Sequence, residues 1–95
     1  RINDPAIDLA VISAILSANL DISIDTQTCL TGEVGLSGEI RPVNRIEQRI
    51  AEAEKLGFKR IILPEYNYKS LPHKQYNITL LPVKKAEEAF RILFA

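Results

Sequence analysis

The chain has 95 residues, 46% hydrophobic and 25% charged, with 12 Lys+Arg balancing 12 Asp+Glu. That is room for one core and an ordinary globular composition, which argues against a disordered chain. No run reaches the ~18 apolar residues of a membrane span, and a neutral chain lacks the basic footprint of an autonomous nucleic-acid-binding domain.

Arg1-Ile2-Asn3-Asp4-Pro5 has no signal-peptide layout, and 1–95 reads as a single domain cut from a longer chain. Asn3-Asp4-Pro5 is an expected helix start, with Asn or Asp capping free N–H groups and proline where its missing N–H costs nothing. Apolar residues then dominate from Ala6 to about Leu20, interrupted only by Asp8, Ser13 and Ser17. Such a helix is expected to be central and covered on several sides. So short a chain has little to cover it with, which implies upstream structure, a subunit interface, or both.

Thr26 to Val34 reads as a strand, Gly35-Leu36-Ser37-Gly38 as a hairpin turn, and Glu39 to Val43 as the return strand with Pro42 at its end or edge. Asn44 is the expected cap of a helix along Arg45 to Leu56. There Ile46, Ile50 and Ala53 form one apolar stripe, and Gly57 closes the helix in the left-handed conformation. Phe58 to Leu63, stopped by Pro64, is a buried strand. Glu65 to Asn77 is a loop with room for one turn of helix. Ile78 to Val83 is a last strand, and Lys85 to Phe94 a helix presenting Ala86, Ala89, Phe90 and Leu93. The order gives an α+β fold with a mixed sheet and packed helices, in which Val43 to Leu63 has the length of a right-handed βαβ crossover.

Few side chains carry obvious chemistry. Cys29 is the only cysteine, which excludes an internal disulfide and a cysteine metal cluster and fits a reducing, cytoplasmic setting. Inside an apolar strand it reads as a small core residue rather than a nucleophile. His73, the only histidine, reads as a solvated loop residue rather than a base. Gly32, Gly35 and Gly38 lie in a hairpin, not between a strand and a helix, so they form no phosphate-binding fingerprint. Residues 1–44 hold two basic and six acidic side chains, and residues 45–95 ten basic and six acidic. A basic half could face an acidic partner, or the charge could simply be solvated. Arg41, Arg45 and Arg49 are the one cluster of weight. They pair either with Glu47, Glu52 or the acidic hairpin, or with phosphate or a neighbouring subunit. The Tyr66-Asn67-Tyr68-Lys69 stretch either stacks on bases or packs back on its own domain.

Thr31-Gly-Glu-Val-Gly-Leu-Ser-Gly-Glu-Ile-Arg-Pro-Val43, the Arg-Ile-Glu-Gln-Arg helix after it, Glu52 to Arg60 and Ile61-Ile62-Leu63-Pro64 resemble the C-terminal domain of the RadA/Sms family of bacterial DNA repair proteins. Asp4-Pro5-Ala6-Ile7-Asp8-Leu9-Ala10 resembles it too, and the likeness is loose only beyond about residue 64. That domain is in turn similar to the proteolytic domain of Lon, which implies a ribosomal protein S5 domain 2-like fold. Family members carry β structure ahead of the Asn-Asp-Pro segment, so N-terminal strands are expected to be missing here, leaving a sheet edge uncovered or completed by a neighbouring chain.

In Lon-type proteases a serine is the nucleophile and a lysine on the helix after the Thr-Gly-Glu hairpin is its base. The resemblance puts Ala6 at the serine position and Arg49 at the lysine position. Alanine has no nucleophilic atom, and a guanidinium keeps its proton near neutral pH. Thr31, the family's hydroxyl near that dyad, persists with nothing to assist. The resemblance therefore implies a non-enzymatic scaffold assembling with itself in a ring, expected to be a hexamer. Its parent would be an ATPase acting on recombination intermediates. ATP, Mg and Zn are expected in parent domains absent here, with no cofactor in this chain. Arg41, Arg45, Arg49, Lys59 and Arg60 are the candidate DNA or subunit contacts. Alternatives are a stand-alone DNA-binding module, or a residual peptidase pairing Thr31 with a nearby lysine.

Overall fold

The computed structural model describes residues 7–72 and 74–94. Its organising element is strand β5 (Arg60–Pro64), whose Ile61, Ile62 and Leu63 have no solvent exposure. β5 pairs in parallel with β2 (Thr28–Leu30) on one side and with β6 (Thr79–Val83) on the other. Strand alternation then divides the core. Ile61 and Leu63 pack with Ile78 and with Ile46, Ile50 and Ala53 of helix α2 (Ile46–Lys55). Ile62 faces the other way, joining Leu9, Val34, Ile40, Val83, Ala86, Ala89 and Leu93. A strand covered on both faces needs apolar residues at every position, hence the unbroken run. Burial of each such side chain contributes about 1.5–3 kcal/mol.

A second, antiparallel sheet runs in the order β1 (Ile7–Asp8), β3 (Glu33–Val34), β4 (Ile40–Arg41). The predicted hairpin turn closes through Gly35 N–H to the Glu39 carbonyl at 2.9 Å and Gly38 N–H to the Gly35 carbonyl at 3.0 Å. This sheet is joined to the exit of β6 by the Glu39–Lys85 bridge, with Ile40 N–H on the Lys84 carbonyl and Ala86 N–H on the Gly38 carbonyl, both 2.8 Å. Parallel and antiparallel pairing thus both occur in an α+β fold, divided between two three-stranded sheets.

Four expectations need correction. The helix does not run on from Asn3-Asp4-Pro5 through Ile7. The Asn3–Asp4–Pro5 cap and Ala6 lie outside the described residues, but Ile7 and Asp8 are strand, opposite Val34 and Glu33. Helix α1 (Leu9–Leu20) starts after them, with Asp8 as its N-cap accepting from Ala10 N–H at 2.8 Å and Val11 N–H at 3.3 Å. An aspartate read as an interruption of the helix is its cap.

The single strand Thr26–Val34 is broken at Thr31–Gly32. Gly32 has φ +123°, a conformation that side chains resist, and an added Cβ would stand 3.0 Å from Ile40 Cγ2. Its carbonyl accepts from Leu9 N–H at 2.9 Å, so the chain crosses there from one sheet to the other. Helix α2 is entered at Arg45 (φ 58°, ψ 47°), without a side-chain cap, and not through Asn44. The turn falls there because Val43 is held on both backbone atoms by Asn67. Finally, Val43 to Leu63 is not a crossover within one sheet. β4 belongs to the antiparallel sheet, so the parallel step into β5 starts from β2 and encloses the hairpin as well as α2.

The other end of α2 agrees with the sequence. Gly57 has φ +92°, its N–H donates to the Glu54 carbonyl at 3.1 Å, and Phe58 N–H reaches back to the Ala53 carbonyl at 3.0 Å. That is the paired-bond glycine stop, with Phe58 packed on the cluster that contains Ala53. Helix α3 (Glu65–Lys69) is the single turn expected in the loop, and helix α4 (Ala86–Phe94) buries Ala86, Ala89 and Leu93. In α1 the only buried residues are Leu9 and Ser13, while Val11 and Ile15 are 51% and 52% exposed. The expected cover on several sides is not supplied by the described residues.

Candidate functional site

The five basic candidates do not converge. Arg45 and Arg49 stand exposed at the start of α2, while Lys59 and Arg60 follow its far end, about 15 Å away at 1.5 Å per residue. Arg60 is already engaged, its guanidinium paired with Asp25 and its Nε donating to Thr28 Oγ1 at 3.1 Å. Lys59 is exposed beside it, in a polar cleft lined also by Gln27, Asn77 and Thr79. Arg41 pairs with Glu39 at 3.3 Å, the contact with the acidic hairpin that the sequence offered as one alternative. The Glu39 carboxyl is held below its ordinary range, first by its own N–H and then by the Ser37 N–H and Arg41.

Arg49 reaches backwards, its Nε donating to the Asn44 carbonyl at 2.9 Å. With Glu33, Pro42, Val43 and Asn44 it lines a shallow cleft. Thr31 is buried, and its hydroxyl donates to the Ile62 carbonyl at 2.8 Å, the same oxygen that accepts Thr31 N–H at 3.0 Å. That hydroxyl holds two strands together. Cys29 is half-buried on the α2 side of the sheet, where burial pushes its thiol up despite a bond from backbone and the nearby Arg49. Ala6 and His73 lie outside the described residues.

One positioning residue was not legible as such. Asn67, buried in the middle of α3, accepts from Val43 N–H at 2.8 Å and donates to the Val43 carbonyl at 3.0 Å. This two-point clamp fastens α3 beside the start of α2. Arg45, Asn44, Asn67 and Ser70 consequently line one cleft. The stretch packs back on its own domain through Asn67, with Tyr68 partly covered at 44% exposure, whereas Tyr66 stands out at 72%. A small amide between two large aromatics was the available signal.

Among the described residues no three His, Cys, Asp or Glu side chains are grouped so that they could hold a metal ion. No described helix is long and apolar enough to cross a membrane.

The family model described as subunit ChlI of Mg-chelatase matches residues 1–67. The DNA repair protein RadA of Bacillus subtilis (strain 168) is 45% identical over 91 residues, 96% of this chain and 20% of that protein. The RadA of Streptococcus pneumoniae (strain ATCC BAA-255 / R6) is 44% identical over 95 residues, covering 100% of this chain and 22% of that protein. The RadA of Listeria monocytogenes serovar 1/2a is 51% identical over 67 residues, 70% of this chain and 15% of that protein. The chain spans about a fifth of the length of the first two relatives. The match to RadA inferred from Thr31–Val43 and the flanking motifs is thereby established, and the chain belongs to the ChlI family as a domain of the kind found in RadA proteins.

Proposed function

We propose that this chain is a non-proteolytic, Lon-like assembly domain with an S5 domain 2-like fold, carried by a cytoplasmic, ATP-dependent DNA repair protein that acts on recombination intermediates. Its partners are further copies of itself in a ring, a hexamer by the family resemblance, and DNA held by the assembled ring. ATP, Mg and Zn would serve other parts of such a protein. The observation that carries the reading is the face of α1 that the described residues leave uncovered. Val11 and Ile15 lie one turn apart, both about half exposed, with the exposed Ala10, Ala14 and Ala18 beside them. A contiguous apolar helix face of this kind is a contact surface rather than a solvent surface.

Two arrangements support the absence of proteolysis. Arg49 is an exposed guanidinium bonded to a backbone carbonyl where Lon-type chemistry needs a lysine that can release its proton. Thr31 has its proton committed to Ile62. DNA contact is assigned to Arg45 and Arg49, the exposed pair at the start of α2, with Lys59 as a separate point.

The test is the mass of the intact gene product by light scattering, with and without Val11→Glu plus Ile15→Glu. The expected result is a multimer that dissociates in the double variant while keeping its helical spectrum. An unchanged mass would assign the α1 face to a segment of the same chain and end the assembly reading. Casein incubated with the intact protein should remain uncut.

A further inference from the structure

We infer that Tyr66, flanked by Lys69 and Lys84, is a stacking site for an unpaired nucleobase, so that α3 contacts single-stranded DNA. The inference rests on the proposed DNA contact, and adds to Arg45 and Arg49 a further contact point and a substrate class. Tyr66 and Lys69 are three residues apart and share one face of α3, and Lys84 follows β6 beside them. Together with Glu65 they rim a cleft whose floor is Ile40 and Val83, both buried in the core. Tyr66 is 72% exposed, more than any other aromatic residue among the described residues. A base plane would cover one face of its ring, an interaction tolerant of base identity because every base has a π face.

Charge suits the same occupant. The ammonium groups of Lys69 and Lys84 lie 3.7 and 4.0 Å from the two oxygens of one carboxylate, Glu65, and their side chains are 70% and 67% exposed. Two cations sharing one anion leave the rim of the cleft that Tyr66 lines net positive, which suits backbone phosphates. Duplex DNA offers no exposed base face to the ring, so the fit is to a single strand. The platform is also rigid for so short a helix, because Asn67, next to Tyr66, is tied to both backbone atoms of Val43. Tyr68 is two residues on, on the opposite side of the helix, and takes no part.

The experiment uses the intact gene product, a fluorescent oligo-dT strand and a matched duplex, titrated by anisotropy at several salt concentrations. Tyr66→Ala should weaken single-strand binding roughly 5- to 100-fold, the range expected for removal of one base–aromatic stack, without changing the salt slope. Tyr66→Phe, which keeps the ring, should bind like the parent. Lys69→Ala with Lys84→Ala should reduce the slope by about 0.7 for each phosphate that is no longer neutralised. An oligonucleotide carrying 5-iodouracil should crosslink to the peptide containing Tyr66. Single-strand binding that is unchanged in Tyr66→Ala, or crosslinks that map elsewhere, would overturn the inference and leave the assembly and DNA reading intact. An intact protein that binds no DNA at low salt would overturn both, as would binding of an acidic peptide at this cleft in place of DNA.

Discussion

Asn67→Ala removes the clamp between α3 and the entry to α2, and its cost follows from the geometry. Two buried hydrogen bonds, at 2.8 and 3.0 Å, disappear. Each contributes about 1 kcal/mol net, and the Val43 N–H and carbonyl left without partners add a partial desolvation penalty. The sum is about 2–4 kcal/mol. Against the roughly 5–14 kcal/mol expected for a chain of 95 residues, that is a large share. With a urea dependence of about 1–1.5 kcal/mol per molar, the unfolding midpoint read by circular dichroism should fall by about 2 M. Asn67→Asp separates the two bonds. Its carboxylate still accepts from Val43 N–H but cannot donate to the carbonyl, whereas the protonated acid can do both. Its folded pKa is therefore raised, and the missing stability should be present at low pH and lost as pH rises through that pKa. A midpoint shift below about 0.5 M in Asn67→Ala, or an aspartate variant indifferent to pH, would show that the clamp does not hold α3.

Three further outcomes follow from local geometry. Gly57→Ala meets no steric neighbour but forces a side chain onto φ +92°, so it should cost about 1–2 kcal/mol and lower the melting temperature by roughly 4–8 °C for each kcal/mol. Thr31→Val should cost only about 0.5–1.5 kcal/mol, because the Ile62 carbonyl keeps its bond from Thr31 N–H, and should change no hydrolytic activity. Glu88 accepts from the N–H groups of Lys84 and Lys85 at the start of α4, and these bonds, the first ahead of the second, hold its carboxyl below the ordinary range. A depressed folded pKa means its contribution is present above the unfolded value and lost as pH falls through the folded one. Glu88→Gln should therefore flatten the decline in melting temperature between about pH 5 and 3.

What could be read from the sequence is what is decided locally. Ile46, Ile50 and Ala53 with Gly57 define a helix and its stop within twelve residues, and no distant partner is needed to place them. The Gly35–Gly38 turn is equally self-contained. The run Ile61-Ile62-Leu63 announces a strand buried on both faces for the same reason. Where the reading failed, the deciding partner was remote. Asp8 caps a helix only because Ile7 and Asp8 are drawn into a strand by Glu33 and Val34. The break at Gly32 exists because two sheets compete for one segment, and Arg45 takes the turn because Asn67, far along the chain, already holds Val43. The candidate site divides the same way. Arg45 and Arg49 were visible as a helical pair, and their separation from Lys59 and Arg60 follows from the length of α2 between them. The pairing of Arg60 with Asp25, by contrast, depends on β2 lying beside β5. Lys84, which joins Tyr66 and Lys69, is brought to them only by the fold.

The bridge between Glu39 and Lys85, with the Ile40 and Ala86 N–H bonds beside it, sets an order of events during synthesis. A ribosome releases the hairpin long before it releases residues 84–86, and until then β4 has no neighbour on that side. The antiparallel sheet must therefore wait, half-paired, for a segment made much later. Pairings so distant in sequence are slow to form and leave apolar surface open to other chains meanwhile. If assembly is the role of α1, its exposed face emerges ahead of the other helices of this fold, and neighbouring nascent chains on one messenger would meet through it before either had closed this domain.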